Sequence, residues 1–166
     1  MNMRTDENRH AGAEALELDE LQRDLVLSLV QSFAAAAPQS GGSDAYAALE
    51  EAVAKKEVPA ELVPSLGAIV EVALSTGRVR SVFGPAAELS LTALFRRTPR
   101  GEMIGASFGE LNRALAKLKG RPLNEISAAF RKPGVCTLTI AAGEYRIVVR
   151  FDSDGGAVEG VEMGAG

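Results

Sequence analysis

The chain has 166 residues, of which 46 % are hydrophobic and 24 % are charged. This composition supports a hydrophobic core and excludes a wholly disordered chain. A single cysteine excludes an internal disulfide and favours a cytoplasmic location. The polar, acidic start of the sequence is unlike a signal peptide, and the longest apolar run is too short for a membrane span.

Residues 1–13 show no periodicity and are expected to form a disordered tail. A helix is predicted over residues 16–37, where the polar residues form one narrow stripe and nearly all the rest is apolar. Such a helix is either central in a bundle or covered by a second copy of itself. We expect self-association here, through Leu18, Leu21, Leu25, Leu29 and Phe33.

The sequence PQSGGSD at residues 38–44 predicts a flexible linker, and a short helix is expected over residues 45–56. A second strongly apolar helix should cover about residues 60–76 and end at Gly77, which can adopt the left-handed conformation of a helix C-terminus. Pro85 is typical of a first helical position and predicts a helix that ends before Thr98-Pro99.

Two further helices are expected before the strands begin. Ser107 and Glu110 have the spacing of a capping box, which predicts a helix from about Phe108 to Gly120. A shorter helix is predicted over residues 121–130, before the stop at Lys132-Pro133-Gly134.

After Pro133 the apolar residues alternate with polar ones, which is typical of β-strands. Two such runs flank the turn at Gly143, and a weaker third covers residues 157–163, before a tail at 164–166. The sequence therefore predicts a single α+β domain over residues 14–163, in which about six helices precede a three-stranded antiparallel meander packed on them. The face expected to contact the helices carries Leu138, Ile140, Ile147, Val149 and Phe151.

Few residues offer catalytic or metal-binding chemistry. His10 is the one histidine and falls in the predicted tail, and Cys136 is the one cysteine and is expected to be a small buried residue. The glycines at 101, 105 and 109 do not have the spacing of a phosphate-binding loop. We therefore expect no metal, no cofactor and no enzymatic activity.

Basic residues are concentrated between positions 78 and 132, which carry 11 basic and 4 acidic side chains, whereas residues 1–77 carry 5 basic and 13 acidic. Helix ends explain part of this excess, because cations stabilise a helix C-terminus. The remainder predicts a surface for an anion or an acidic partner at Arg78, Arg80, Arg96, Arg97, Arg100, Arg113 and Lys117.

The excess apolar helix surface and the complementary charged segments favour a non-catalytic cytoplasmic protein–protein interaction or adaptor domain that associates with itself. An alternative is a nucleic-acid-binding protein that uses the basic 78–132 surface, although 5 % aromatic content offers few stacking partners. A further alternative is a binder of apolar small ligands, enclosed by the two most apolar helices and the meander.

Overall fold

The computed structural model of the chain describes residues 15–36 and 43–164. The predicted tail at 1–13, most of the predicted linker at 38–44 and the last two residues lie outside this part of the chain. The chain divides into two compact units, residues 1–101 (unit 1) and residues 102–166 (unit 2), each with its own hydrophobic core. The single domain expected over residues 14–163 stays a prediction.

The described residues form six α-helices and two antiparallel sheets, which confirms the predicted α+β class. The helices are α1 (Glu20–Ala36), α2 (Ser43–Ala54), α3 (Val63–Ser75), α4 (Arg78–Phe83), α5 (Pro85–Phe95) and α6 (Pro99–Leu115). The strands are β1 (Leu16–Glu17), β2 (Glu57–Val58), β3 (Leu123–Lys132), β4 (Val135–Ala142), β5 (Tyr145–Asp152) and β6 (Gly155–Met163).

Unit 1 is built around α1, which packs against α2, α3 and α5. The apolar side chains of α1 fill the middle of this core, as the width of its apolar surface requires. Val26 and Val30 are fully buried in α1, as are Val70 in α3 and Leu91 and Leu94 in α5. A central position inside one unit, one of the two alternatives for this helix, accounts for these buried residues.

Helix α1 begins at Glu20 and not at residue 16, as predicted. Asp19 and Gln22 form a capping box, in which the Gln22 N–H donates to Asp19 Oδ1 at 2.7 Å and the Asp19 N–H donates to Gln22 Oε1 at 3.2 Å. The two residues before it, Leu16–Glu17, pair antiparallel with Glu57–Val58 as β1 and β2. The sequence pattern missed this two-stranded ladder because it is only two residues long.

The boundaries of α3 and α5 agree with the sequence. Gly77 follows α3 with φ +68°, the left-handed conformation predicted for it, and Pro85 lies in the first turn of α5. Between them, residues 78–83 form α4, which the sequence analysis did not predict. At the end of α2, Lys55 Nζ lies 2.6 Å from Glu51 Oε1, and this hydrogen bond lowers the pKa of the Glu51 carboxyl.

Helix α6 begins at Pro99, nine residues before the predicted start near Phe108. The fully buried Thr98 caps it: Thr98 Oγ1 accepts a hydrogen bond from the Gly101 N–H at 3.2 Å and donates to the Phe95 carbonyl at 2.7 Å. Ser107, the expected cap, lies inside the helix and donates to the Ile104 carbonyl at 2.7 Å. The capping-box prediction was therefore wrong because an equally good cap stands one residue before a proline.

The predicted helix over residues 121–130 is also wrong, since residues 123–132 form strand β3. The C-terminal sheet consequently has four strands, in the order β3-β4-β5-β6, instead of the predicted three. All ten residues of β3 are exposed. Ile126, Ala128 and Phe130 alternate with other residues, but the Ala128-Ala129 pair makes this alternation weaker than the one that identified β4 and β5.

The register of β4 and β5 agrees with the predicted inner face of the sheet. Ile140 lies opposite Ile147, and Leu138 lies opposite Val149. Ile147 and Val149 are fully buried in a cluster with Leu111 of α6. The sheet of unit 2 thus packs on the C-terminal half of α6.

Cys136 lies on the same face, opposite Phe151, but the prediction that it is buried is wrong. Its side chain is exposed, because it stands near the start of β4, next to the β3–β4 turn, and outside the cluster that surrounds Leu111. The alternation of the strand gave the correct face, but it did not indicate how far along the sheet the helix covers that face.

The helix start at α6 yields a stability prediction from two glycines. A Cβ at Gly101 would lie 2.0 Å from the Phe95 carbonyl oxygen, whereas a Cβ at Gly105 meets nothing within 4 Å. Gly101→Ala should lower the free energy of unfolding by at least about 2 kcal/mol, because the backbone has to move. Gly105→Ala, in the same helix, should raise it by about 0.4–1 kcal/mol. Urea titration measures both, and similar values for the two variants would contradict the close approach at Gly101.

Candidate protein-interaction surface

Helix α6 covers only part of one face of the four-stranded sheet in unit 2. The helix and the following turn contribute Leu111, Ala114, Leu115 and Leu118 to the cluster around Ile147. The same cluster contains residues of β4, β5 and β6 but none of β3. The covered region therefore ends before the edge strand.

Two glycines at the start of β6 explain why the helix lies toward that side. A Cβ at Gly155 would lie 2.2 Å from Ser107 Oγ, and one at Gly156 would lie 2.9 Å from Leu111 Cδ2. The Gly156 N–H also donates to Ser107 Oγ at 3.3 Å. Because Gly155 and Gly156 have no side chains, α6 can approach β6 closely. A single helix in that position does not reach β3.

The uncovered part of the face continues the same apolar rows that the helix covers elsewhere. Residues that are opposite each other in neighbouring strands share a face of the sheet. The rows across the four strands are Ile126–Ile140–Ile147–Val161, Ala128–Leu138–Val149–Val158 and Phe130–Cys136–Phe151–Gly156.

At the β3 end of these rows, the exposed fraction is 61 % for Ile126 and 75 % for Phe130. Leu123, at the start of the strand, is 61 % exposed. Large apolar side chains that extend a buried face into solvent are typical of a protein-interaction surface. We define the β3 surface as strand β3 with these three side chains.

The two edges of the sheet differ in regularity. In β6 a register shift falls in the middle of the strand, between the pairs Val148–Gly160 and Val149–Val158, and leaves Glu159 without a partner residue. In β3 the shifts lie near the ends, at Asn124 and at Arg131, and the stretch 125–130 pairs without interruption. Bulges and charges weaken an edge strand as a template for pairing, so β3 is the better template of the two.

The charges on β3 are few and of opposite sign. Glu125 Oε2 lies 3.2 Å from Arg146 Nη1, and Ser127 Oγ donates to Glu125 Oε1 at 3.0 Å. Arg131 makes no ion pair with any residue in the described part of the chain. The strand thus presents an acidic group before its apolar residues and an unneutralised basic group after them.

The predicted basic surface is distributed over both units. Arg78, Arg80, Arg96, Arg97 and Arg100 lie in unit 1, whereas Arg113 and Lys117 lie in unit 2. Arg80 Nη1 is 2.9 Å from Glu88 Oε2, and Arg100 Nε is 3.5 Å from Glu71 Oε1. Two of the seven cations are therefore neutralised inside unit 1, and a role for the set in binding stays a prediction.

Arg113 and Lys117 line an open groove between α6 and β6, with a volume of about 460 Å³. Ser107, Glu110 and Val158 contribute to the same groove. Its lining combines two cations with one carboxylate over a small apolar floor. The sequence analysis named the two cations as part of the basic surface, but it gave no indication of the β6 side of the groove.

The residues expected to mediate self-association through α1 differ in their burial. Leu18, Leu25 and Leu29 are buried in the core of unit 1, Leu21 is exposed, and Phe33 is half-buried. Both a central helix and a dimer interface require apolar leucines, so the pattern could not separate the two. Self-association through α1 stays a prediction, and four of its five residues, all except Leu21, already pack within the unit.

A second open groove, of about 330 Å³, lies between α1 and α3 in unit 1. Leu29, Phe33, Val72 and Ala73 form its apolar lining, and Arg78 lies at its side. The groove connects two of the sequence-predicted sets, the α1 leucines and the basic residues, at a single place. Binding of an apolar ligand there stays a prediction.

The described residues contain no group of three or more His, Cys, Asp or Glu side chains that could hold a metal ion. None of the described helices is long and apolar enough to cross a membrane. Comparison with known proteins gave no match to a family model, to a curated protein or to a solved structure.

Two phenylalanines on the same row, Phe151 and Phe130, test how far across the sheet the region covered by α6 extends. Phe151 packs with the Leu111 cluster and lies 6.4 Å from the Phe108 ring, whereas Phe130 is 75 % exposed. Phe151→Ala should lower the free energy of unfolding by about 2–4 kcal/mol, and Phe130→Ala should change it by less than about 0.5 kcal/mol. Denaturant titration measures both values, and an equally large loss at Phe130 would show that β3 is covered.

Proposed function

We propose that this chain is a non-catalytic protein–protein interaction domain that associates with itself, and that it does so through the β3 surface. The observation that carries the proposal is the full exposure of an edge strand whose Ile126 and Phe130 continue the apolar rows of the sheet core. An edge strand of this kind offers both unpaired backbone groups and apolar side chains to a partner.

The position of the apolar residues supports an interaction role. Other exposed apolar residues, such as Leu89 and Val82 in unit 1, lie on helices, whose backbone groups are already paired within the helix. Among the described residues, exposed apolar side chains coincide with a strand edge in the sheet of unit 2, at β3 and also at Val161 and Met163 of β6, the less regular edge. A partner strand placed beside β3 would complete its backbone hydrogen bonds and cover Ile126 and Phe130 at once.

The arrangement of the basic residues favours ordinary surface ion pairing over nucleic-acid binding. Ion pairs neutralise Arg80 and Arg100, and the remaining cations are shared between two units. In unit 2 the rings of Phe108 and Phe151 pack on each other, and the Arg121 guanidinium lies over the Tyr145 ring at 4.3 Å from its centroid. A stacking platform with a continuous basic groove is the arrangement that single-stranded nucleic acid requires.

Light scattering coupled to gel filtration tests the proposal. At about 100 μM, well above a micromolar Kd, the wild-type chain should have twice the mass of one chain or more. Ile126→Thr combined with Phe130→Thr should return the mass to that of one chain, because the apolar contact is lost while the strand propensity of the residues is kept. Circular dichroism should show an unchanged fold, since both side chains are exposed.

Leu89→Thr is the matched control, because Leu89 is 72 % exposed on α5 and lies in unit 1. It should leave the wild-type mass unchanged. A wild-type chain that stays a single copy at this concentration would overturn self-association, and an oligomer that survives the double substitution at β3 would overturn the assignment of the surface.

A further inference from the structure

The sequence of the β3 surface is complementary to itself when two copies run antiparallel. Its uninterrupted stretch, residues 125–130, is framed by register shifts at Asn124 and Arg131. One end of the strand carries Glu125 and the other carries Arg131 and Lys132. A second copy that runs antiparallel would therefore place the acidic end of one strand beside the basic end of the other.

Symmetry restricts how two copies of β3 can pair. A two-fold axis perpendicular to a continuous sheet keeps each face on its own side, so a residue must pair with one from the same face. Side chains of successive residues lie on alternate faces, so residues of the same face are an even number of positions apart. The axis must therefore pass beside a residue, because an axis between two residues would pair opposite faces. For a strand of ten residues, the axes that use most of its length lie at Ser127 or at Ala128.

An axis at Ala128 places Ala128 opposite its own equivalent. It also pairs Ile126 with Phe130, Ser127 with Ala129 and Glu125 with Arg131, each of these twice because of the symmetry. Opposite charges and apolar residues that face each other directly across two strands stabilise the pairing. Within residues 125–131 every pair in this register is either apolar, small or of opposite charge, and beyond them Asn124 lies opposite Lys132.

An axis at Ser127 gives a poorer set of pairs. Phe130 would lie opposite Asn124, Arg131 would lie opposite Leu123, and Glu125 would lie opposite Ala129. Two large apolar side chains would then face polar partners, and no charge would meet its opposite. The side chains of β3 thus select the Ala128 axis over its neighbour.

We infer that two copies of this chain join β3 to β3, antiparallel about Ala128, into one continuous eight-stranded sheet. This inference rests on the proposed function and adds to it the partner strand, its direction and its register. In the joined sheet the Ile126 and Phe130 side chains of both copies form one apolar strip across the junction. Arg131, which has no ion pair within the described part of its own chain, gains Glu125 of the other copy as its partner.

Cysteine cross-linking tests the register directly, in a Cys136→Ser background that removes the native exposed thiol. Cα atoms of directly opposite residues in antiparallel strands are about 4.5–5.5 Å apart, within the range of a disulfide. Ala128→Cys should therefore cross-link to its own equivalent under mild oxidation. Ser127→Cys is the matched control, because its equivalent would be about 8 Å away, beyond disulfide reach.

The expected result is a cross-linked dimer that is at least about tenfold more abundant for Ala128→Cys than for Ser127→Cys, and that disappears when the protein is denatured before oxidation. If the chain is dimeric by light scattering but Ser127→Cys cross-links better, the register is wrong while self-association through β3 stands. If the chain is a single copy, the proposed function itself is wrong. The two failures are thus distinguishable.

Charge exchange gives an independent measurement of the same register. Glu125→Arg alone sets Arg against Arg131 twice, and Arg131→Glu alone sets Glu against Glu125 twice, so each variant should dimerise with a Kd raised about three- to tenfold. Mixed together, the two variants should restore the wild-type affinity as a heterodimer. Equal affinity for homodimers and for the mixed pair would overturn the Glu125–Arg131 contact.

Discussion

A single helix is too narrow to cover a four-stranded sheet, and this limit of dimensions determines the architecture of unit 2. Four strands spaced by about 4.8 Å extend about 14 Å between the outer strand axes, whereas a helix with its side chains is about 10 Å wide. Among the described residues, α6 and the turn that follows it supply the helical side chains that join the cluster on this sheet. One strand must remain outside its cover, and the glycines at 155 and 156 decide which one, because they bring the helix toward β6.

The parts of the fold that could be predicted are those in which one face of an element is buried. Helices α3 and α5 and strands β4 and β5 each bury a defined set of apolar residues, and that set leaves a period of 3.6 or of 2 in the sequence. Strand β3 was missed because its period of 2 is carried by only three residues, Ile126, Ala128 and Phe130. Its Ala128-Ala129 pair and Leu123 favour a helix on local grounds.

The start of α6 shows a different limit, in which two valid local signals compete. Thr98 with Pro99 and Ser107 with Glu110 are both acceptable helix starts when each is considered alone. The choice depends on Thr98 being buried beside Gly67 and on Gly101 passing close to the Phe95 carbonyl. These are tertiary contacts, and a pattern of residue types along the chain does not contain them.

For the candidate site, the sequence shows which residue types are present, but it does not show what surrounds each of them in the fold. The α1 leucines and the basic residues stand out by residue type, but the burial of Leu25 and the ion pair of Arg80 depend on the folded positions of α3, α5 and Glu88. The β3 surface was not predicted because residues 121–130 were expected to form a helix. Its importance comes from what the helix leaves uncovered, which is a property of the packed unit.

The bulge in β6 also has a consequence for how an assembly would grow. A sheet with two equally regular edges can add copies at both and extend without limit into a fibre, whereas a sheet with one regular edge reaches closure after a single pairing. The interruption at Glu159 and the glycines of β6 disfavour addition at that edge. The asymmetry between the two edges would therefore keep an exposed strand from becoming a seed for aggregation.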